Sequence, residues 1–478
     1  MLAMSQFLCS LNGQLGLLRP GESRDGEESN DKLPHNANIP GGNLGLLALL
    51  AVTYFSVKYA RDSYRLSKTK KKILDRQAKA EAGKIKLQKR LEKCPNIDLS
   101  ITKLSFADLQ EKLQRGDLTA TDVLLAYQAK ALQVTREINC VTDFIENAEA
   151  RASTLDKLDP SERGPLHGIP LSVKEAVGVK GYDCTGGISC FIDDLKTEDG
   201  VLLQVLINQG AVPFARTNLS QGQMSASCSN PIFGETFNPV DHSRSCGGST
   251  GGEGALIGAG ASPMGLGCDM AGSIRIPCHF CGICGMKPTP NRLSGAGNYT
   301  FGQGIVTLAE VYGPMGKDVK SVVELFKASL TPQLFELDPL LPGTTWKEEI
   351  FNSTKPMKIG FYVHDGAVEA APAIKRCVLQ AKRVLEARGH TLVEFAPPEI
   401  LYVTEHLFYA AILGDDCEQM STYMKDDVVD PCIQDLFHVL SLPHWIRSLL
   451  SRISYFLTGI NSVSCYWVSW LKTYENQL

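Results

Sequence analysis

The segment from Cys246 to Pro277 reads C-G-G-S-T-G-G-E-G-A-L-I-G-A-G-A-S-P-M-G-L-G-C-D-M-A-G-S-I-R-I-P, and it continues as C-H-F-C-G-I-C-G-M-K-P to Pro288. Two of its serines, Ser249 and Ser273, stand among glycines and lie 24 residues apart. A glycine cluster lets backbone N–H groups approach a ligand that a Cβ atom would push away. A serine among converging amides is the usual arrangement of a nucleophile with its oxyanion hole. The segment therefore predicts a serine-based covalent catalyst.

An isolated lysine precedes this segment. Lys174 lies 75 residues before Ser249 and ends an apolar, strand-like run within G-P-L-H-G-I-P-L-S-V-K-E. A lysine acts as a base only in its neutral form, and burial favours that form because it penalises the ammonium ion. The apolar run suits a buried lysine, provided that the neighbouring Glu175 points elsewhere.

Together these segments resemble the amidase signature family, and within it the fatty-acid amide hydrolases. The joint pattern is G-G-S-x-G-G followed by D-x-x-G-S-I-R-x-P, with T-N-L-S-Q at 217–221 as a further match. The resemblance runs from about Leu104 to at least Asp318. Thr250 stands where the family usually has Ser or Gly, and Ala271 stands where Gly is usual. Ala271 would tighten its loop if the position needs a positive φ.

The resemblance implies an α/β amidase-signature fold, in which a central mixed β-sheet is covered by helices on both faces and preceded by an N-terminal membrane anchor. It also implies a catalytic triad of Lys174, Ser249 and Ser273. Lys174 takes a proton from Ser249, Ser249 takes one from Ser273, and the Ser273 hydroxyl attacks the amide carbonyl to form an acyl-enzyme. No cofactor and no metal are needed.

The resemblance further implies a set of substrate-binding and oxyanion positions, namely Gln223, Ser249, Met270, Ala271, Gly272 and Ser273. The oxyanion donors among them are the backbone N–H groups of residues 270–273. Asp269 and Arg275 flank this loop, and we expect them to pair or cap locally rather than react.

Two other interpretations concern the same glycines. A phosphate-binding P-loop requires G-x-x-x-x-G-K-[ST], and no lysine follows Gly252. The G-x-S-x-G elbow of α/β-hydrolases is satisfied at 247–251, but its approach, D-H-S-R-S-C, is polar rather than a buried strand. That elbow also needs a downstream histidine, for which the candidates are His364, His390, His406, His438 and His444.

A metal site is the remaining alternative. Cys278, Cys281 and Cys284 form C-x2-C-x2-C, the start of an iron–sulfur run. Pro288 occupies the place of the fourth thiolate, and Cys268 has an unfamiliar spacing for that role. Small cysteines packed against a buried turn account better for the pattern, so no metal is predicted.

Composition limits the other function classes. A chain of 478 residues with 44% apolar residues is large enough for one big α/β domain or two. A net charge of −4 argues against nucleic-acid binding as a global role. Its 15 cysteines are scattered rather than densely spaced, which favours a reducing compartment for the catalytic domain.

The N-terminal part predicts membrane attachment. Residues 1–40 are expected to be disordered, because the segment R-P-G-E-S-R-D-G-E-E-S-N-D-K at 19–32 has almost no apolar residues. The apolar run from Leu44 to Val57 extends to a transmembrane or anchor helix at 41–60. A buried core helix is the alternative. The basic segment 61–95 is expected to be a helical linker, and its charge places the catalytic domain, 96–478, in the cytosol. We expect a single-pass protein of an endomembrane such as the endoplasmic reticulum.

Later segments alternate between helix and strand. Helical spacing predicts a helix from Ala373 to Arg388 that Gly389 closes, between strands at 358–363 and 391–395. This alternation is typical of a mixed sheet with helices on both faces.

The segment 435–470 is rich in Leu, Ile, Phe and Trp. It is interpreted either as domain core or as an amphipathic membrane-binding cap, with Trp445 and Trp467 at headgroup depth. The resemblance favours the cap, through which a lipid substrate would enter. Because the chain ends at Leu478, soon after this segment, the catalytic domain is expected to be incomplete at its C-terminal end.

The predicted function is hydrolysis of fatty-acid amides to a free fatty acid and an amine. The expected partners are a lipid amide substrate and a bilayer, with a homodimer as the assembly to test. Two alternatives stay open at this point, a general amidase of small amides and a truncated, non-catalytic membrane-associated protein.

Overall fold

The computed structural model describes residues 41–300, 305, 307–408, 411–412, 418–440 and 442–458. The segment 1–40, which the sequence predicts to be disordered, lies outside them. The chain separates into two units, Met1–Ala60 and Arg61–Leu478, and the candidate site belongs to the second.

The described helices and strands follow one another in a largely alternating order. The helices are α1 (Gly41–Leu91), α2 (Phe106–Arg115), α3 (Ala120–Ile138), α4 (Ala148–Leu155), α5 (Val201–Asn208), α6 (Gly251–Gly258), α7 (Arg275–Cys281), α8 (Val319–Ser329), α9 (Pro332–Leu337), α10 (Glu348–Phe351), α11 (Pro372–Ala387), α12 (Ile400–Tyr402), α13 (Glu418–Tyr423), α14 (Pro431–Leu440) and α15 (His444–Thr458). The strands are β1 (Val141–Phe144), β2 (Pro170–Lys174), β3 (Val212–Thr217), β4 (Ser229–Asn230), β5 (Gly234–Glu235), β6 (Met264–Asp269), β7 (Cys284–Gly285), β8 (Val311–Gly316), β9 (Lys358–Phe361) and β10 (Thr391–Glu394). Short 3₁₀ turns lie at Leu99–Lys103, Pro160–Glu162, Ser189–Phe191 and Gln221–Gln223, and a π-helical turn at Val403–Phe408.

A six-stranded mixed sheet forms the centre of the second unit, with strand order β1-β3-β2-β6-β8-β7. Strands β3, β2 and β6 run parallel to one another, whereas β1, β8 and β7 pair antiparallel with their neighbours. Every residue of β2, β3 and β6 is buried. Strands buried on both faces are typical of a sheet that is covered on both sides. The predicted mixed α/β sheet is confirmed.

Helix α2 illustrates how local sequence builds the layers around this sheet. It begins after Ser105, whose hydroxyl accepts a hydrogen bond from the Asp108 N–H and so satisfies one of the unpaired donors of the first turn. Phe106, Leu109 and Leu113 recur at helical spacing and are buried. Burying one such side chain stabilises the fold by about 1.5–3 kcal/mol.

Helix α1 carries both the apolar run from Leu44 to Val57 and the basic residues that follow. In the part of the chain that the structure describes, no helix is both long and apolar enough to cross a membrane. The predicted span at 41–60 is therefore not supported, because the apolar run gives way within the same helix to Lys58 and Arg61.

The basic part of α1 is less solvated than a linker would be, because Arg76 is buried against two carboxylates. Its Nη2 donates to Asp143 Oδ2 at 2.8 Å, and its Nε donates to Asp183 Oδ2 at 3.0 Å. Arg216 reaches the same group, with Nη1 2.9 Å from Asp143 Oδ2 and Nη2 3.4 Å from Glu175 Oε1. These five side chains are called the Arg76 cluster below.

The predicted helix and strands of the later segment are present, at α11, β9 and β10. The two strands form a separate sheet, however, in which β9 and β10 pair with each other in parallel and with no strand of the central sheet. Gly389 follows α11 with φ +89°, as expected of the residue that closes a helix.

The segment 435–470 falls on α14 and α15 up to Thr458. Its Trp445 side chain is 68% exposed, and Leu449 is half exposed. Trp467 lies outside the described residues.

Candidate active site

Lys174 is placed by the central strand β2. It is the last residue of this strand, between β3 and β6, and its side chain is fully buried. Its Nζ lies 2.7 Å from Ser249 Oγ, 2.6 Å from Gln223 Oε1 and 3.0 Å from Cys268 Sγ. Glu175 turns away, as predicted, and accepts hydrogen bonds from Thr185.

Ser249 lies in the loop that leads into α6, and it is fully buried. The peptide bond between Gly248 and Ser249 is cis. A Cβ atom on Gly248 would lie 2.6 Å from Ser220 Oγ and 2.8 Å from Ser227 O, so only glycine fits this position. The glycine that the motif requires therefore allows the serine to approach Lys174.

Ser273 lies in the loop between β6 and α7, and it is half buried. The Thr250 N–H donates to the Ser273 carbonyl oxygen at 3.2 Å, which joins the two serine loops next to each other. The structure thus brings the three residues of the predicted triad into one region, with a direct hydrogen bond between Lys174 and Ser249.

Asp269 organises the Ser273 loop. Its carboxylate accepts hydrogen bonds from the N–H groups of Gly272 and Ile274 at 2.7 and 3.0 Å, and from Arg275 Nη2 at 2.9 Å. Burial alone would raise the pKa of Asp269, but the hydrogen bonds from Arg275, Gly272 and Ile274 outweigh it and hold the pKa below its usual value. Asp269 and Arg275 therefore have the local structural contacts that the sequence predicts.

The Asp269 contacts involve one of the predicted oxyanion donors. The Gly272 N–H donates to Asp269 Oδ1 at 2.7 Å inside the loop. Met270, Ala271 and Ser273 remain as candidate donors. The Ala271 backbone is not among those with positive φ, so alanine in place of the usual glycine causes no strain there.

Gln223 contacts Lys174. Its Oε1 accepts hydrogen bonds from Lys174 Nζ at 2.6 Å and from Cys268 Sγ at 2.8 Å. Its backbone has φ +60°, which is uncommon for a residue other than glycine. The sequence-based grouping of Gln223 with the oxyanion positions did not anticipate this contact.

Two buried residues of this region were not predicted as site residues. Burial, followed by the charge of Glu310, raises the pKa of the Cys268 thiol well above its ordinary value. Glu253 on α6 accepts hydrogen bonds from Ser172 Oγ at 2.6 Å and from Thr217 Oγ1 at 2.8 Å. Burial raises the pKa of Glu253 to about 8, although these two hydroxyls oppose the rise.

Glu253 connects β2, the strand of Lys174, with a neighbouring strand. Ser172 precedes Lys174 by two residues on β2, and Thr217 on the neighbouring strand β3 is the residue paired with Lys174. A Cβ atom on Gly265 of β6 would overlap the Glu253 carboxyl group, so glycine is required there as well. The position of Glu253 four residues after Ser249 is the sequence signal that could have pointed to this role.

In the described part of the chain, no hydrogen bond joins Ser249 to a histidine. The described hydrogen bond of the Ser249 hydroxyl is to Lys174, whereas His390 bonds the Met357 N–H beside β9. Within the described ranges no group of three or more His, Cys, Asp or Glu side chains could hold a metal ion.

Comparison with known proteins decides the family. Residues 122–457 match the family model described as Amidase. The chain belongs to the amidase family. This amidase is 42% identical over 353 residues to a Gallus gallus protein named Vitamin D3 hydroxylase-associated protein. The aligned residues cover 74% of the chain and 76% of the relative. It is 39% identical to Sus scrofa Fatty-acid amide hydrolase 1, over 84% of the chain and 68% of the relative.

A solved structure agrees with this assignment. A structure of fatty acid amide hydrolase superposes with a TM-score of 0.66 and 25% identity, over 77% of this chain and 68% of that chain. The predicted resemblance to the amidase signature family is confirmed, and the chain is an amide-hydrolysing enzyme.

Proposed function

We propose that this amidase hydrolyses fatty-acid amides to a free fatty acid and an amine, through an acyl-enzyme formed on Ser273. The observation that carries the proposal is the 2.7 Å hydrogen bond between Lys174 Nζ and Ser249 Oγ, because a weak serine nucleophile needs a base. The similarity to relatives named fatty-acid amide hydrolase supports the substrate class.

In the proposed mechanism neutral Lys174 takes the proton of Ser249, and Ser249 takes the proton of Ser273. The Ser273 oxygen then attacks the amide carbonyl. The N–H groups of Met270, Ala271 and Ser273 would stabilise the oxyanion, and one such donor is typically worth about 2.7–4 kcal/mol. The proton returns through Ser249 to the leaving amine, and water hydrolyses the acyl-enzyme.

Association with a membrane is part of the proposal. Leu50 in the apolar run of α1 is 57% exposed, and Phe55 and Val57 are exposed as well. The following basic residues suit anionic headgroups, and the exposed Trp445 suits an interface. We propose attachment to the cytosolic side of an endomembrane such as the endoplasmic reticulum, with residues 41–60 and the 435–470 cap as the two contacts.

A fluorophosphonate probe tests the nucleophile, because it labels only an activated serine. Wild-type protein should be labelled at Ser273, and Ser273→Ala should abolish labelling. Ser243→Ala is the matched control, since Ser243 lies exposed in the loop before the catalytic segment. Labelling that survives Ser273→Ala would contradict the assignment.

The substrate class is tested by kcat/KM across acyl amides of increasing chain length at constant detergent. Each methylene moved from water into an apolar channel contributes about 0.8 kcal/mol, part of which should appear in kcat/KM. We therefore expect a rise with chain length. A flat series would overturn the fatty-acid assignment and favour small amides.

A further inference from the structure

Three acceptors surround the amine of Lys174. Gln223 Oε1, Ser249 Oγ and Cys268 Sγ lie 2.6, 2.7 and 3.0 Å from Nζ. Lys174, Ser249 and Cys268 are fully buried, so the amine exchanges no hydrogen bonds with bulk water. The direction of its hydrogens is therefore determined by these three groups.

The hydrogens around Lys174 can be assigned from the chemistry of each partner. The carbonyl oxygen of Gln223 carries no proton, so it only accepts. Cys268 keeps its proton, because burial and the neighbouring charge of Glu310 raise the pKa of its thiol, and the thiol is hydrogen-bonded to Gln223 Oε1 at 2.8 Å and to the Glu310 side chain. The sulfur of Cys268 then faces Nζ as an acceptor. Both neighbours consequently accept from the amine, and neither can donate to it.

A neutral amine has two N–H bonds and one lone pair. When Gln223 and Cys268 take the two N–H bonds, the tetrahedral geometry of nitrogen leaves the lone pair facing Ser249. After proton transfer the ammonium ion has three N–H bonds, which match the same three acceptors. The Lys174 amine is thus fully hydrogen-bonded before and after the transfer, without any reorientation of Gln223 or Cys268.

We propose that Gln223 and Cys268 are positioning residues, which fix the rotation of the Lys174 amine so that its lone pair faces the Ser249 hydroxyl. This inference rests on the proposed role of Lys174 as the base. It assigns to Gln223 a function apart from substrate contact and to Cys268 a function apart from packing.

The backbone of Gln223 is an independent observation in favour of this role. Its φ of +60° is sparsely populated for side chains other than glycine, and it follows Gly222 at φ +58°. Strained residues of this kind cluster at functional sites, where the surrounding structure holds them. The strained turn directs the amide oxygen of Gln223 to Lys174. With its carbonyl towards Lys174, Gln223 accepts hydrogen bonds from both Nζ and the Cys268 thiol.

The test uses the pH dependence of fluorophosphonate labelling, which needs no knowledge of the substrate. Gln223→Met keeps the length of the side chain but removes the acceptor, and it should lower the labelling rate by about tenfold or more. Gln223→Glu places a carboxylate against Nζ and holds the ammonium form, so the rising limb of the pH profile should move to higher pH.

Gln221→Met is the matched control, because Gln221 lies in the same turn but bonds to the backbone of Val428 and Asp430. It should leave the pH profile of labelling in place. If Gln223→Met and Gln223→Glu both keep the wild-type rate and profile, the inference is overturned.

Cys268 provides a second test that does not depend on the folding of the Gln223 variants. Cys268→Ala should slow labelling, and Cys268→Ser, which restores both a donor and an acceptor, should recover most of the lost rate. Equal rates for the two variants would refute positioning by Cys268. Failure of the proposed function looks different, because the wild-type Ser273 would then take no label at all.

Discussion

Replacing Glu253 by glutamine should change how the stability of this amidase depends on pH. Burial raises the pKa of Glu253 from 4.5 to about 8 in the folded chain. Between those two values the folded state holds the proton and the unfolded state has released it, so stability falls as pH rises. At about 1.36 kcal/mol per pH unit, the full interval amounts to about 5 kcal/mol.

In the Glu253→Gln variant the side chain at position 253 cannot ionise, so the stability of the variant does not show this decline with pH. Its extra amide hydrogen has no evident acceptor beside Ser172 and Thr217, which should cost about 1–3 kcal/mol at every pH. The variant should therefore be less stable than wild type near pH 5 and should gain about 4 kcal/mol relative to it by pH 8.

Denaturant unfolding between about pH 5 and pH 8 measures this difference. Other titrating groups contribute equally to both proteins and cancel when the two curves are subtracted. Glu137→Gln, an exposed substitution, is the control and should follow the wild-type curve. If the free energies of unfolding of wild type and Glu253→Gln changed in parallel with pH, Glu253 would not be neutral in the folded protein, and the reasoning would be refuted.

Three further outcomes are expected. Ser273→Ala should abolish hydrolysis with little change in thermal unfolding; if it keeps activity while Ser249→Ala loses it, the roles of the two serines are reversed. Lys174→Ala should lower kcat by about a hundredfold to ten-thousandfold and move the kcat/KM profile to higher pH, and an unchanged profile would remove Lys174 from the base role. Deleting residues 1–60 should weaken flotation with vesicles without eliminating it, because the 435–470 cap remains, and a variant that no longer floats would contradict the two-contact proposal.

The sequence was sufficient for the central mixed sheet and for the hydrogen bond between Lys174 and Ser249. Glycines around Ser249 and an apolar run before Lys174 are local patterns, and their occurrence together in one chain favoured the amidase interpretation over the P-loop and the elbow. The alternation of helix and strand predicted the mixed sheet for a similar reason. The pairing of β9 only with β10 was not predictable, because periodicity indicates a strand but not its partner.

The surroundings of Lys174 could not be read from the sequence. Cys268 and Gln223 reach the amine only because β6 and the 221–223 turn are brought against β2, and no spacing in the chain encodes that approach. The burial of Arg76 could not be predicted from the sequence for the same reason. A basic residue within a basic helix looks solvated until its carboxylate partners, distant in sequence, are located.

The Arg76 cluster has a consequence for cooperativity. Asp143 lies between Arg76 and Arg216, and the Arg216 backbone pairs with Val173, next to Lys174. Removing one partner of a buried ion pair typically costs about 3–5 kcal/mol. We therefore expect α1 around Arg76 and strand β2, which carries Lys174, to unfold together in one step. Any recombination that exchanged the N-terminal region of this enzyme for another would have to join the two sequences upstream of Arg76.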